Sequence, residues 1–338
     1  AEKGKITGDE RDAIIARIVA AGDLNDFSQC AVIIEAVIED LKIKQELFKE
    51  LEGIVDSKCL LATNTSSLSI TSIAGALKNP SRFLGLHFFN PAPLLPLVEI
   101  VPGLKTDCDL ISECRKLMDK WGKVPVVAKD TPGFIVNRIA RPFYGEALRI
   151  YEEGIAEPAT IDWALKEVGG FRMGPFELMD LIGIDVNFKV TETVFEAFFY
   201  DPRFKPSFVQ KRMVEAGLLG RKTGSGFYDY SENARKPEPC RDKELGQEIF
   251  FRVLAMLINE ASDAVFLKIA TPRDIELAMT RGVNYPKGLL AWADEIGLDV
   301  VLRYLEGLQQ EYGEDRYRPN PLLRRLVREN KKFVDLMD

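Results

Sequence analysis

Apolar positions along the chain fall into two alternating kinds of run. Cys30 to Val37 (Cys-Ala-Val-Ile-Ile-Glu-Ala-Val) is a near-continuous apolar stretch of the kind buried on both faces of a sheet. Cys59–Thr63, Phe83–His87, Leu97–Val101 and Val124–Ala128 are shorter runs with the same β-rich character. Between them, Leu41–Ile54, Ser69–Leu77 and Thr106–Trp121 read as helices, the last with Leu110, Ile111, Cys114, Leu117 and Met118 on one face. Ahead of these runs, Thr7-Gly8-Asp9-Glu10 has the form of a capping box, and Ile14, Ile15, Ile18 and Val19 form a stripe behind it, which predicts a helix from Gly8 to about Ala21. Strands alternating with helices predict a parallel, doubly wound sheet with right-handed crossovers.

Beyond Ala128 the pattern changes to helical throughout. Asp130-Thr131-Pro132 predicts a helix start, because Thr caps and Pro suits the first helical position. The helical part also repeats itself at an offset of 114 residues, which pairs Glu146-Ala147 with Glu260-Ala261, Gly174 with Gly288, Asp180 with Asp294, and Gly183 with Gly297. Identities at one constant offset mark a duplicated unit. The first copy ends in the glycine-punctuated segment Arg221–Tyr228, and a charged connector, Ser231–Glu244, leads to the second.

Composition narrows the function classes. With 338 residues, 46% of them hydrophobic and 29% charged, the chain has the make-up of a globular protein of two or three domains. A net charge of −7, with dispersed basic residues, argues against nucleic acid or an anionic membrane as partner. No run reaches the ~18 apolar residues of a membrane span. Five cysteines without a Cys-x-x-Cys pair read as reduced thiols in a cytoplasmic protein that holds no metal.

The chemistry concentrates around the one histidine. His87 closes one β-rich run and Glu99 lies in the next, with Pro91, Pro93 and Pro96 stiffening the connection and excluding a central strand there. Imidazole as a group changes charge near neutral pH, and a carboxylate on its second nitrogen fixes the tautomer, so the pair has the make-up of a general-base dyad. The competing reading is a core histidine beside an unrelated surface glutamate.

Four blocks decide between them. His87-Phe88-Phe89-Asn90-Pro91 with Leu97-Val98-Glu99, preceded by Asn64-Thr65-Ser66-Ser67-Leu68 and followed by Lys129-Asp130-Thr131-Pro132-Gly133-Phe134-Ile135-Val136-Asn137-Arg138, resemble the L-3-hydroxyacyl-CoA dehydrogenase family in order and spacing. The resemblance implies an incomplete Rossmann-type α/β domain over residues 1–129, followed by two tandem all-α C-terminal domains of that family, over 130–230 and 245–338. It implies catalytic roles for His87, Glu99, Ser66 and Asn137, with Ser66 and Asn137 on the substrate's 3-oxygen, and contacts to NAD from Glu39, Lys44 and Asn64. For Glu39 and Lys44 the competing reading is a pair of solvated charges at a helix start.

The Gly-x-Gly-x-x-Gly turn that usually opens such a domain has no counterpart before Ala31, so the chain reads as N-terminally shortened, leaving the strand at Ala31–Ala36 as a sheet edge. On that reading NAD binds at least a hundredfold more weakly than in a complete relative, and a rival function is an impaired fragment that binds acyl-CoA or serves oligomerisation. At the position of Asn137 the second copy carries Phe251, so it reads as structural, covering an apolar face within a monomer or as part of a homodimer. The expected substrate is an acyl-CoA ester, 3-hydroxybutyryl-like or dicarboxylic.

Overall fold

The fold is described from a computed structural model covering Gly4 and residues 6–337. Five strands, β1 (Val32–Glu35), β2 (Leu60–Thr63), β3 (Phe83–Phe88), β4 (Leu97–Pro102) and β5 (Val124–Val127), form one sheet in the order β1-β2-β3-β4-β5. β1, β2 and β3 run parallel, as do β4 and β5, but β3 and β4 pair antiparallel. The expectation of a wholly parallel sheet is therefore corrected. A parallel crossover needs about a dozen residues or more, and the connection Phe89–Pro96 is too short to make one.

The sheet is covered on both faces, which is why its strands carry apolar residues without strict alternation. On one face, α2 (Leu41–Ile54) buries Phe48 and Leu51 against the layer that holds Leu61, Phe83 and Leu97. On the other, α4 (Cys108–Lys120) packs Cys114 and Met118 on Leu60, Leu84, Leu86 and Ile100. β1 pairs with β2 alone among the described residues and has Val32, Ile33 and Ile34 half-buried, as expected of an edge. The first helix, α1 (Gly8–Ile15), has its Thr7–Glu10 capping box but stops short of Ala21. None of its residues is buried, and without a surface to pack on, the Ile-Val stripe does not extend it.

α3 is also shorter than expected, at Ile70–Ala74, and its cap explains a second correction. Asp130 does not begin a helix. Its carboxylate accepts the N–H groups of Ile70 (3.0 Å) and Thr71 (2.7 Å) and the Ser69 hydroxyl (3.0 Å), tying the helical part to the first turn of α3. The helix begins instead at α5 (Val136–Ile139), after a turn in which Gly133 has φ +74°.

The helical part continues through α6 (Arg141–Glu152), α7 (Pro158–Trp163) with a π-helical turn at Ala164–Val168, α8 (Pro175–Ile182), α9 (Ile184–Ala197) and α10 (Phe208–Glu215). After the connector come α11 (Lys243–Phe266), α12 (Pro272–Gly282), α13 (Leu289–Ile296), α14 (Leu298–Tyr312) and α15 (Pro321–Arg328). The 114-residue offset holds in three dimensions. α13 occupies the residues displaced from α8 by that offset, and α12 those displaced from α7 and its π turn. Gly183 and Gly297 share an unusual backbone (φ +103°, ψ 122° and φ +100°, ψ 121°) that L side chains rarely adopt. Asp162 accepts the N–H groups of Phe176 and Glu177 at the start of α8, and its counterpart Glu276 accepts those of Leu290 and Ala291 at the start of α13. Gly174 and Gly288 are needed because those carboxylates lie where a Cβ would sit.

The two copies face each other through reciprocal ion pairs. Arg138 Nε donates to Glu260 at 2.7 Å, and its counterpart Arg252 Nε donates to Glu146, the counterpart of Glu260, at 3.1 Å. Exchange of equivalent partners is the signature of twofold packing. All four side chains are buried. Glu146→Ala would leave Arg252 with Glu153 as its one acid, take from Arg149 its paired carboxylate, and is expected to cost about 3 kcal/mol, since breaking a buried pair strands its partner. The denaturant midpoint of the variant checks this.

Candidate functional site

The antiparallel turn from β3 to β4 builds the centre of the site. It sets His87 directly across from Glu99 in the strand register, and His87 Nδ1 lies 2.6 Å from Glu99 Oε2. The other carboxylate oxygen accepts the N–H groups of Ile135 (3.0 Å) and Val136 (2.9 Å), from the turn that enters α5. Glu99 is wholly buried, and a carboxylate that accepts from Nδ1 as it does from Ile135 and Val136 selects the tautomer with the ring hydrogen on Nδ1. In that tautomer the other ring nitrogen has its lone pair free. Phe89 and Phe134 pack on the ring, with centroids 4.5 and 5.8 Å away, and fix its plane.

Around His87 lies a cleft of about 410 Å³ at the carboxyl ends of β1, β2 and β3, where open α/β sheets take their ligands. Asn64, Ser66, Asn137, Glu39 and Lys44 all line it with His87. Six of the seven residues singled out from the sequence thus share one cleft, and the seventh, Glu99, stands behind the histidine. Asn64 Oδ1 accepts the Phe88 N–H at 2.8 Å, which fastens the loop after β2 to the end of β3. Asn137 Nδ2 reaches the Ser66 carbonyl at 3.4 Å, so α5 and the β2 loop meet across the cleft.

Lys44 is not a solvated charge. It is buried, with Nζ 2.6 Å from Glu35 and 3.3 Å from Glu39. Glu35 also accepts the Thr63 hydroxyl at 2.7 Å and the Val37 N–H at 2.6 Å, so it anchors the end of β1. Sequence reasoning assigned Glu35 no role, although a glutamate ending an otherwise apolar strand is the signal that would have found it. Glu39 reaches across to the β2 loop, accepting from the Thr65 hydroxyl and from the Ser66 N–H (3.1 Å) and Ser67 hydroxyl (3.1 Å). Partial burial opposes its charge, but the Thr65 hydroxyl, Lys44 and the Ser66 N–H outweigh it and hold the carboxyl below its ordinary range. Ser69 caps α3.

This arrangement has the parts for proton transfer to or from an oxygen held beside His87, with Ser66 and Asn137 as hydrogen-bonding partners and an acidic, hydroxyl-rich rim suited to a ribose. Among the described residues no cluster of three or more His, Cys, Asp or Glu side chains is arranged to hold a metal, and no helix is long and apolar enough to cross a membrane.

Residues 1–131 match the family model for the NAD-binding domain of 3-hydroxyacyl-CoA dehydrogenases, and residues 133–230 and 249–333 match the model for the C-terminal domain. The chain is 39% identical, over 95% of its length and 86% of the relative's, to 3-hydroxyadipyl-CoA dehydrogenase of Escherichia coli K12. It is 42% identical to a probable 3-hydroxybutyryl-CoA dehydrogenase of Deinococcus radiodurans over 68% of this chain and 82% of that one. The crystal structure of 3-hydroxybutyryl-CoA dehydrogenase from Escherichia coli K12 superposes with a TM-score of 0.90 at 37% identity, covering 97% of this chain and 88% of that chain.

Proposed function

We infer the roles of individual side chains from one premise: the chain belongs to the 3-hydroxyacyl-CoA dehydrogenase family. Its activity is the NAD-dependent oxidation of L-3-hydroxyacyl-CoA to 3-oxoacyl-CoA, or the reverse. When bound, NAD accepts the hydride from the substrate's C3. His87 takes the proton of the 3-hydroxyl on the ring nitrogen that faces the cleft, and Glu99 holds the tautomer and balances the imidazolium that forms. Ser66 and Asn137 hold the 3-oxygen as its charge changes. Glu39 and Asn64 hold the dinucleotide from the ends of β1 and β2, while Lys44 keeps Glu39 in place. The observation that carries this reading is the 2.6 Å contact between His87 and a buried carboxylate, beside a cleft lined by these same residues.

Residues 1–129 then carry the dinucleotide, 130–230 close the site with Asn137, and 245–338 serve packing. With Phe251 in place of Asn137 and the ion pairs exchanged between copies, the chain is a monomer with an internal pseudo-dimer. Five free cysteines suit a cytoplasmic enzyme.

Two measurements test the proposal. Titration with NADH should give saturable binding, and NADH oxidation should depend on added acetoacetyl-CoA. Asn137→Ala is expected to lower kcat about 10- to 100-fold with a smaller change in KM, because a hydrogen bond to a charged group is worth about 1.5–3 kcal/mol and this one strengthens as the oxyanion develops. Unchanged kcat in that variant would remove Asn137 from the oxygen site.

A further inference from the structure

A second cavity, of about 110 Å³, lies beside α6 and α9, and it is lined by a buried cation that has no counter-ion among the described residues. Arg141 is 93% buried, from its 7% exposure. Its Nε donates to the Asn137 carbonyl at 3.0 Å and its Nη1 to the Thr191 hydroxyl at 3.2 Å, while Nη2 makes no hydrogen bond among the described residues. The guanidinium lies 5.0 Å from the centre of the Tyr144 ring. Among the described residues no carboxylate pairs with it: burial pulls its pKa below the ordinary arginine value, and the neighbouring groups acting on its charge are the phenols of Tyr144 and Tyr285. Tyr285 brings a buried hydroxyl that also lacks a partner among the described residues. The other arginines lining the cavity are neutralised: Arg149 by Glu146, Arg203 by Asp201, Glu260 and Asp263, and Arg316 by Glu153 and Glu314. The one acid lining it, Glu152, is engaged by the Ser207 hydroxyl and the Val209 N–H. A buried charge is normally paired, so an unpaired one facing a cavity needs an anion from outside the chain.

The internal repeat supplies a control. At the 114-residue offset, Arg138 and Glu146 recur as Arg252 and Glu260, because packing needs them. Asn137, Arg141, Tyr144 and Thr191 instead correspond to Phe251, Ala255, Ile258 and Leu305. Ala255, Ile258 and Leu305 are fully buried, so the fold is built as well with apolar residues at those positions. The polar set belongs to the copy that carries Asn137.

Resting on the dehydrogenase reading above, we propose that Arg141 receives the terminal carboxylate of the acyl chain, making dicarboxylic 3-hydroxyacyl-CoA esters the preferred substrates. Asn137 lies on α5 and Arg141 opens α6, and the Arg141 Nε contact to the Asn137 carbonyl at 3.0 Å makes them neighbours across that junction. In a six-carbon dicarboxylic ester, three carbon–carbon bonds of about 1.5 Å separate C3 from the terminal carboxylate. On this proposal a chain whose 3-oxygen is held at Asn137 in the His87 cleft extends past the α5–α6 junction, and its carboxylate meets Nη2 in the Arg141 cavity.

The test compares 3-oxoadipyl-CoA with 3-oxohexanoyl-CoA, which differ in the terminal carboxylate and share the CoA moiety. Wild-type protein is expected to favour the dicarboxylic ester at least tenfold in kcat/KM, and Arg141→Met to bring that ratio close to one. A variant that loses rate equally on both esters would assign Arg141 to a CoA phosphate or to folding and overturn the proposal. A second measurement needs neither a variant nor turnover: in calorimetry, adipyl-CoA should bind wild-type protein at least tenfold more tightly than hexanoyl-CoA, and equal affinities would overturn the carboxylate site. Turnover without preference would end this inference and leave the dehydrogenase reading intact. Calorimetric preference without turnover of either ester would do the reverse.

Discussion

His87→Gln is expected to lower the rate of acetoacetyl-CoA reduction by about 10²–10⁴-fold, the range usually lost with a positioned proton carrier. The melting temperature should stay close to that of the wild type, because His87 lines an open cleft and a glutamine amide there can still donate to Glu99. Glu99→Gln tests the other half of the pair by a different route. The buried carboxylate accepts from His87 and from two backbone N–H groups, and glutamine can satisfy those N–H groups only by turning its amide NH2 toward Nδ1. Nδ1 must then accept, which places the ring hydrogen on the nitrogen facing the cleft and blocks proton uptake there. Turnover should fall strongly, though less than in the histidine variant, since an imidazole remains. Near-wild-type rates in His87→Gln would end the dyad assignment, and near-wild-type rates in Glu99→Gln would end the tautomer argument.

Removing Leu245 to Asp338 should have the largest structural effect. The deletion takes away no residue assigned to the chemistry, yet it strips α11 from α6 and leaves Arg138 and Glu146 without Glu260 and Arg252. It also uncovers the sheet, because Gly282 of α12 lies close against Leu97 and Val136, and Asp274 pairs with Arg115 of α4. The buried face of α11, with Val253, Leu254, Leu257 and Ile258 at or near zero exposure, has its counterpart in an apolar face on α6 that would become solvent-exposed. Exposed faces of that kind associate. The truncated chain is expected to dimerise with exchanged partners or to aggregate, as read by light scattering. A well-behaved monomer of residues 1–244 would show that the second copy covers nothing essential.

Much of this protein was legible before its structure. The five strands and their covering helices were readable because burial on two faces leaves continuous apolar runs, and burial on one leaves a helical stripe. The duplication was readable because each copy must solve the same local problems. A carboxylate capping a helix forces a glycine beside it at Gly174 and again at Gly288, and a left-handed corner forces one at Gly183 and again at Gly297. The residues of the cleft were legible through their family blocks, and they converge because they lie at the ends of neighbouring strands.

What the chain could not disclose locally depends on which element lies next to which. Nothing in Leu97–Val101 tells its direction; the short connection after Phe88 decides it, and with it the register that joins His87 to Glu99. Asp130 reads as the start of its own helix but serves the start of another, 60 residues earlier in the chain. Lys44 looks solvated in sequence because its true partner, Glu35, lies on a strand whose end folds over it. Arg141 looks like one more surface arginine until α6 and α9 close around it. Apolar periodicity is a property of one element, whereas the pairing of a charge is a property of its neighbours in space, and only tertiary structure supplies those.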